Sequence, residues 1–347
     1  MKKVKISLLF FLIIAVNCSE YKYSDFRFNQ EKTLTGKMVP VRSPAHLRYP
    51  FRIRQVDSLF YVLDLHGPDA YVHTFSYPGM TLVRSFAHKG NGPEEFLRVE
   101  NIRLDKDGTV YLLDANRNAV SIYNASGDTL NQRINFSEEL IRCLDFTLVN
   151  DSLFAIPDYS GEYRVNMVDR NGNIQKRLFN IPSQKKNESN ISDMVLAQAW
   201  RSFIDYNPDN GILAMGTQLG QVIEIYNLKT EETVRIMYGK FGEPEFATHD
   251  GYAVPDGIMG YSDIHVATDK IYTLFWGTSF KDIRKNPLDR LEGGNKVQVF
   301  SLEGNPIIQY TLDKHITGFC IDERNNKLFG LDVNNDQQII EFRLNNT

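Results

Sequence analysis

Long hydrophobic stretches are missing from this sequence. The longest unbroken apolar run, Leu8–Val16, has nine residues, whereas a membrane-spanning helix needs about 20 to cross the hydrocarbon. Cysteine is scarce too: three residues in a chain of 347 cannot build a disulfide framework. There is no basic excess, with 39 Lys and Arg against 43 Asp and Glu, so nothing suggests nucleic acid, whose binders normally carry a basic patch on a basic domain. Long amphipathic helical patterns are also lacking. What remains is 42% hydrophobic and 24% charged, with 23 Gly and 13 Pro. That is a globular composition, neither disordered nor collagenous.

The apolar run follows Met1-Lys2-Lys3-Val4-Lys5 and ends at Asn17-Cys18-Ser19. A positive segment before a short apolar stretch has the proportions of a secretory signal. The segment Ile14-Ala15-Val16-Asn17-Cys18 resembles the lipobox of bacterial lipoproteins and departs from it at Asn17, where Gly, Ala or Ser is usual. This resemblance implies cleavage before Cys18 and acylation of its sulfur. Each acyl methylene buried in a bilayer contributes about 0.8 kcal/mol to such an anchor. The expected organisation is a signal peptide over 1–17, a tether over 18–32 and one folded domain over 33–347. Loss of 1–17 removes three lysines and leaves the mature chain at a net charge of −7.

Internal repeats decide the expected fold. Six times the chain shows an apolar strand, a turn rich in Asp, Asn or Gly, and a second strand, as in Ile102-Arg-Leu-Asp-Lys-Asp-Gly-Thr-Val-Tyr-Leu-Leu-Asp114. These are hairpin signatures. A third strand follows each hairpin: Val72–Phe75, Val120–Tyr123, Val165–Val168, Ile223–Tyr226, Val297–Phe300 and Ile339–Phe342. A fourth apolar stretch follows in most units. Four antiparallel strands per repeat of roughly 40–50 residues is the pattern of a β-propeller blade. The expected fold is therefore all-β, a six-bladed propeller of four-stranded antiparallel blades; a β-sandwich explains the six units less well. The sixth unit runs out after its third strand, and the segment Lys32–Val39 is expected to supply the missing outer strand and close the ring.

With the lipobox-like segment, the six units and the segment His88-Lys-Gly-Asn-Gly-Pro-Glu-Glu-Phe96 in place, the chain resembles the TolB-like six-bladed propeller lipoproteins of Bacteroidetes. The last segment recurs imperfectly as Tyr238-Gly-Lys-Phe-Gly-Glu-Pro-Glu-Phe246. The resemblance implies a propeller and a cell-envelope location, as an outer-membrane lipoprotein. It implies no activity.

No chemical motif stands out. The glycines near residue 90 lack the Lys-Ser/Thr ending of a phosphate loop and read as a turn between blades. The seven histidines form no zinc-type pair, and there is no Gly-x-Ser-x-Gly elbow. Only His66 follows a hairpin where a loop should reach the central face; His265 reads as part of a strand. Asp64, Asp114, Asp158 and Asp332 end the second strand in four blades. A calcium ring of these carboxylates is conceivable, since that cation takes six to eight oxygens, but turn formation explains the repetition better. Cys143 and Cys320 read as equivalent buried thiols.

Three insertions interrupt the repeats: Ser183–Gln198, Glu243–Tyr261 and Gly277–Asn295. Loops of this length are usually functional or disordered. Gly277–Asn295 is expected to overhang the mouth formed by the loops between second and third strands. Trp276 at its root, with Arg284 and Arg290 on it, would set an aromatic platform beside cations. These three and His66 are the candidate binding residues, and Cys18 is the lipidation site. No cofactor and no resident metal are expected. The sequence points to an envelope-anchored binding or scaffold module for a protein or glycan partner rather than an enzyme; the alternative is a calcium-dependent hydrolase or lyase at the central pore.

Overall fold

The computed structural model describes residues 26–42, 47–127, 130–187, 191–285 and 291–344. Six sheets of antiparallel strands follow one another along the chain. Blade 1 comprises Pro50–Val56, Leu59–Asp64, Ala70–Ser76 and Thr81–His88, and blade 2 comprises Val99–Leu104, Val110–Asp114, Ala119–Tyr123 and Leu130–Asn135. Blade 3 runs through Thr147–Asn150, Leu153–Pro157, Tyr163–Asp169 and Ile174–Asn180, and blade 4 through Ser202–Asn207, Ile212–Thr217, Val222–Asn227 and Glu232–Tyr238. Blade 5 holds Ile258–Val266, Lys270–Ser279, Gly294–Ser301 and Pro306–Ile316; blade 6 holds Phe319–Asp322, Lys327–Leu331 and Ile339–Arg343. All six third strands read from the sequence lie inside the observed ones.

Each blade has two apolar faces and buries both against its neighbours, as stacked repeats must. Phe86, Leu63 and Val72 of blade 1 pack with Ile102, Val110 and Leu112 of blade 2. Phe60, Val62 and Phe75 pack the other face of blade 1 against Phe329, Leu331 and Ile339 of blade 6. The core is thus a ring of interblade layers.

The N-terminal segment closes this ring as expected and also joins the neighbouring blade. The segment expected as one outer strand makes two. Glu31–Leu34 pairs in parallel with the last strand of blade 5, Leu34 opposite Leu312. Lys37–Met38 then pairs antiparallel with Ile339–Arg343 as the fourth strand of blade 6, Met38 opposite Ile340. The switch occurs at Gly36, whose N–H donates to Asp313 Oδ1 at 2.9 Å. A Cβ there would stand 2.4 Å from Ile340 and 2.7 Å from the Phe342 ring.

Each insertion carries regular structure among its described residues. Ser183–Gln198 carries most of helix α1 (Asp193–Ala199), whose N-cap Ser192 accepts from the Val195 N–H, satisfying one of the orphan donors of the first turn. Leu196, Ala197 and Ala199 bury against Trp200 and Tyr238. Glu243–Tyr261 holds a hairpin, Phe246–His249 with Tyr252–Pro255, before the inner strand of blade 5. Gly277–Asn295 holds helix α2 (Phe280–Lys285). No described helix is long and apolar enough to cross a membrane.

The inner strand of blade 3 begins at Thr147, so Cys143 lies before it, whereas Cys320 sits on the inner strand of blade 6. The two are not equivalent places. Both are buried free thiols, and burial pushes Cys143 up to about 12.

Because neighbouring strands are antiparallel, the turns within each hairpin open at one end of the ring, the hairpin mouth. The links from second to third strand and from blade to blade open at the other, the connection mouth.

Candidate functional site

Alternate residues of a strand point to the same face. On the inner strands this sets Arg52 and Arg54 of blade 1 toward the axis together, and likewise Asp263 and His265 of blade 5. Arg54 makes a two-pronged contact with Asp263, 3.3 Å on each side, and Arg52 Nε lies 3.6 Å from the same carboxylate. Arg52 also donates to the Ser262 carbonyl of blade 5 at 2.8 Å, and Arg54 to the Phe319 carbonyl of blade 6 at 3.1 Å. Blade 2 does the same on the other side. Arg103 donates to Asp145 at 2.9 Å, to the Phe146 carbonyl at 2.6 Å and to the Ile204 carbonyl of blade 4. Three arginines from two adjacent blades therefore reach across the channel to carboxylates of blades 3, 4 and 5 and close it.

The carboxylates also hold the ring's backbone. Asp145 accepts the Ile204 N–H at 2.9 Å, Asp205 the Val266 N–H at 2.8 Å and Asp263 the Phe319 N–H at 3.1 Å. Each carboxylate ties its own blade to the next. Burial works against charge on Asp263, yet Arg52 and Arg54 hold it below the usual carboxylate range. For Asp145 burial prevails over Arg103, and its carboxyl is raised. Burial lowers Arg52 to about 10.

Above this layer, at the hairpin mouth, is a cup of about 690 Å³. Every blade contributes the end of its inner strand: Val56, Leu104, Val149, Tyr206, Val266 and Ile321 form the apolar wall. Arg54, Arg103, Asp205 and His265 form the floor. His265 Nδ1 lies 3.3 Å from Asp205 Oδ2, with side chains 35% and 14% exposed respectively. Burial opposes charge on Asp205, but the hydrogen bond from His265 and the charge of Arg103 hold it below its ordinary value. A concave, mostly apolar site with a few convergent polar groups is the usual form of a small-molecule site.

Six blades of four strands are the pattern of a known family. A family model described as TolB-like 6-blade propeller-like matches residues 26–324. The chain belongs to that family.

Several solved structures share its fold. A Bacteroides fragilis protein, provisionally described as exported, superposes with a TM-score of 0.58 at 13% identity, covering 91% of this chain and 99% of its own. The structure of U3-55K gives 0.53 at 9% identity, covering 89% and 98%. Streptogramin B lyase gives 0.52 at 12% identity, covering 90% and 98%. At such identities the likeness is one of fold. Nothing among curated proteins matches.

Of the candidate residues, His66, Trp276 and Arg284 lie away from the cup of this TolB-like chain, at or toward the connection mouth. Trp276 belongs to the second strand of blade 5, which runs on to Ser279. It lines a smaller cavity of about 220 Å³ with Thr278, Ile283, Leu291 and His315. Its Nε1 is buried without a partner. Arg284, on α2, pairs with Asp256 at 3.0 Å on the surface. His66 is exposed in its turn, its ring 4.9 Å from that of Tyr49. Cys18 and Arg290 fall outside the described residues.

The four strand-ending aspartates are buried and committed to backbone. Asp64, Asp114, Asp158 and Asp332 each accept the N–H two residues on, from His66, Asn116, Ser160 and Asn334 at 2.9–3.1 Å. Asp64 further accepts from Arg48 and Tyr49 at 2.7 Å. Among the described residues no group of three His, Cys, Asp or Glu side chains is placed to hold a metal.

Sequence reasoning missed Arg54, Arg103, Asp205 and the pairing of His265. Their signal was present in Arg52-Ile53-Arg54 and Asp263-Ile264-His265. A charge that alternates with a buried aliphatic on the innermost strand of a propeller must face the axis.

Proposed function

We propose that this TolB-like propeller is a binding module of the bacterial cell envelope, tethered through an acyl group on Cys18, which holds its ligand in the cup at the hairpin mouth. The observation that carries this reading is the cup itself: one cavity of about 690 Å³ to which all six blades contribute. Its volume is within the 300–1,000 Å³ usual for ligand sites. The closed floor makes it a seat rather than a passage. A purely non-catalytic role is supported by the arginines and carboxylates beneath, whose bonds run to one another and to backbone.

Two experiments test this. Ligand-observed NMR with a fragment library on the detergent-solubilised full-length protein should give hits that are lost in Lys106→Trp and in Asn150→Trp, exposed rim positions where a bulky ring narrows the mouth. Hits that survive both substitutions would move the binding site elsewhere. Cys18→Ala should shift the protein from the membrane to the soluble envelope fraction; retention on the membrane would remove the acyl anchor from the reading.

A further inference from the structure

The floor of the cup is uneven in its chemistry. The hydrogen bonds of Arg54 run sideways and inward, to the Ile53 carbonyl at 2.9 Å, the Phe319 carbonyl at 3.1 Å and Asp263. Those of Arg103 run to Phe146, Ile204 and Asp145. Asp205 is committed on one side only. Its Oδ2 takes the Val266 N–H at 2.8 Å and faces His265 Nδ1 at 3.3 Å. Its Oδ1 has the 3.8 Å approach of an Arg103 nitrogen, which is too long for a hydrogen bond. His265 turns Nδ1 toward that carboxylate and lines the same floor. A carboxylate oxygen without a hydrogen bond thus lies at the floor of an apolar-walled cup. At the rim, Asp151 and Asp209 are exposed beside Lys106, with Arg170 bonded to the Asp151 carbonyl and Lys229 to the Asp209 carbonyl.

Resting on the binding reading above, we infer that the cup takes a small organic cation, an ammonium or guanidinium group carried on an apolar, ring-sized body. An ammonium brings three donors and no acceptor, which complements a floor offering Asp205 Oδ1. The aliphatic wall of Val56, Leu104, Val149 and Ile321 removes the body from water, and its burial contributes roughly 25 cal/mol per Å². Volume argues for a whole small molecule rather than one lysine of a partner protein, which would leave most of the cup empty.

The test uses ring compounds matched in shape and differing in charge: tyramine, tyrosol and 4-hydroxyphenylacetate, with the phenyl and indole members of the same three series. Affinities are measured by calorimetry or ligand-observed NMR on the solubilised full-length protein and on Asp205→Asn. The amines should bind at least tenfold more tightly than the alcohols, and the carboxylates most weakly. Asp205→Asn, which keeps the side chain's shape and one acceptor oxygen, should erase most of that tenfold preference while leaving the alcohols within about twofold. If the compounds bind and Lys106→Trp excludes them, but amines do not outrank alcohols, the cation assignment fails and the binding reading stands. If none of the series binds in a manner sensitive to Lys106→Trp, both fail together. Should Asp205→Asn not fold, the charge ranking on the unaltered protein decides alone.

Discussion

Asp263 shows how much a single carboxylate can carry in this ring. It is 2% exposed, faces two arginines of blade 1, and accepts the Phe319 N–H of blade 6. Removing one partner of a buried pair costs about 3–5 kcal/mol, because the charge left behind has lost both water and counter-ion. Asp263→Asn should therefore destabilise the protein by about that amount at pH 7. The pH dependence follows from its lowered value. A carboxylate held below its unfolded pKa of about 3.9 contributes fully above that pH and loses its contribution as pH falls through the folded value. The gap between unaltered and Asp263→Asn proteins in urea unfolding should be largest at neutral pH and shrink below about pH 4. A gap independent of pH would mean that shape, not charge, supplies the stability. A second residue-scale expectation concerns Asp64, Asp114, Asp158 and Asp332, whose oxygens already accept backbone N–H groups. Millimolar calcium should leave the melting midpoint unmoved. A ligand at 100 times its dissociation constant adds about 2.7 kcal/mol, which in a domain of this size would appear as a rise of several degrees.

At the scale of elements, the outer closure turns on Gly36. Valine there would press on Ile340 and Phe342, and overpacking of this kind costs about 1–3 kcal/mol. Gly36→Val should lower stability by that amount and expose 26–38 to limited proteolysis, as Lys37–Met38 leaves Ile339–Arg343. Unchanged proteolysis would show that the two closing strands are held independently of this turn. The third strands were legible because each is a compact apolar run with a turn after it. Asn171-Gly172 is one such turn, where Gly172 takes φ +82° and a Cβ would meet the Asn135 carbonyl at 1.9 Å. The inner strand of blade 3 was less legible. Its ladder starts at Thr147 opposite Ala155, and the register would set Asp145 opposite Pro157, which has no N–H to give. Asp145 accepts the Phe146 and Ile204 N–H groups instead. The split of 31–38 between two blades was hidden for another reason: strand propensity does not name the edge a strand will join.

For the whole molecule, the cores lie between blades, so no blade can leave without exposing two of them. Blade 1 alone shares Phe60 and Phe75 with blade 6 and Leu63 and Val72 with blade 2. Equilibrium unfolding in urea should be one cooperative transition by both fluorescence and circular dichroism. Separate midpoints for the two probes would show that part of the ring opens by itself. The central ion pairs act in the same sense. Arg103 of blade 2 reaches blades 3 and 4, and Arg52 and Arg54 of blade 1 reach blades 5 and 6, so opening at one junction disturbs several others.

What the sequence alone determined is what depends on local order: strand, turn and strand repeated six times, and aspartates placed to bond the N–H two residues on. Those features follow from side-chain alternation, from the φ tolerance of Gly and Asn, and from short apolar runs, all readable within a dozen residues. Only the tertiary structure decided that the cup of about 690 Å³ opens at the hairpin mouth, away from Trp276. It also decided that Arg54, Arg103, Asp205 and His265, from four blades and as far as 211 positions apart, share one floor. Ring closure brings the ends of six distant strands to one axis, and no local pattern encodes which of their charges will meet there.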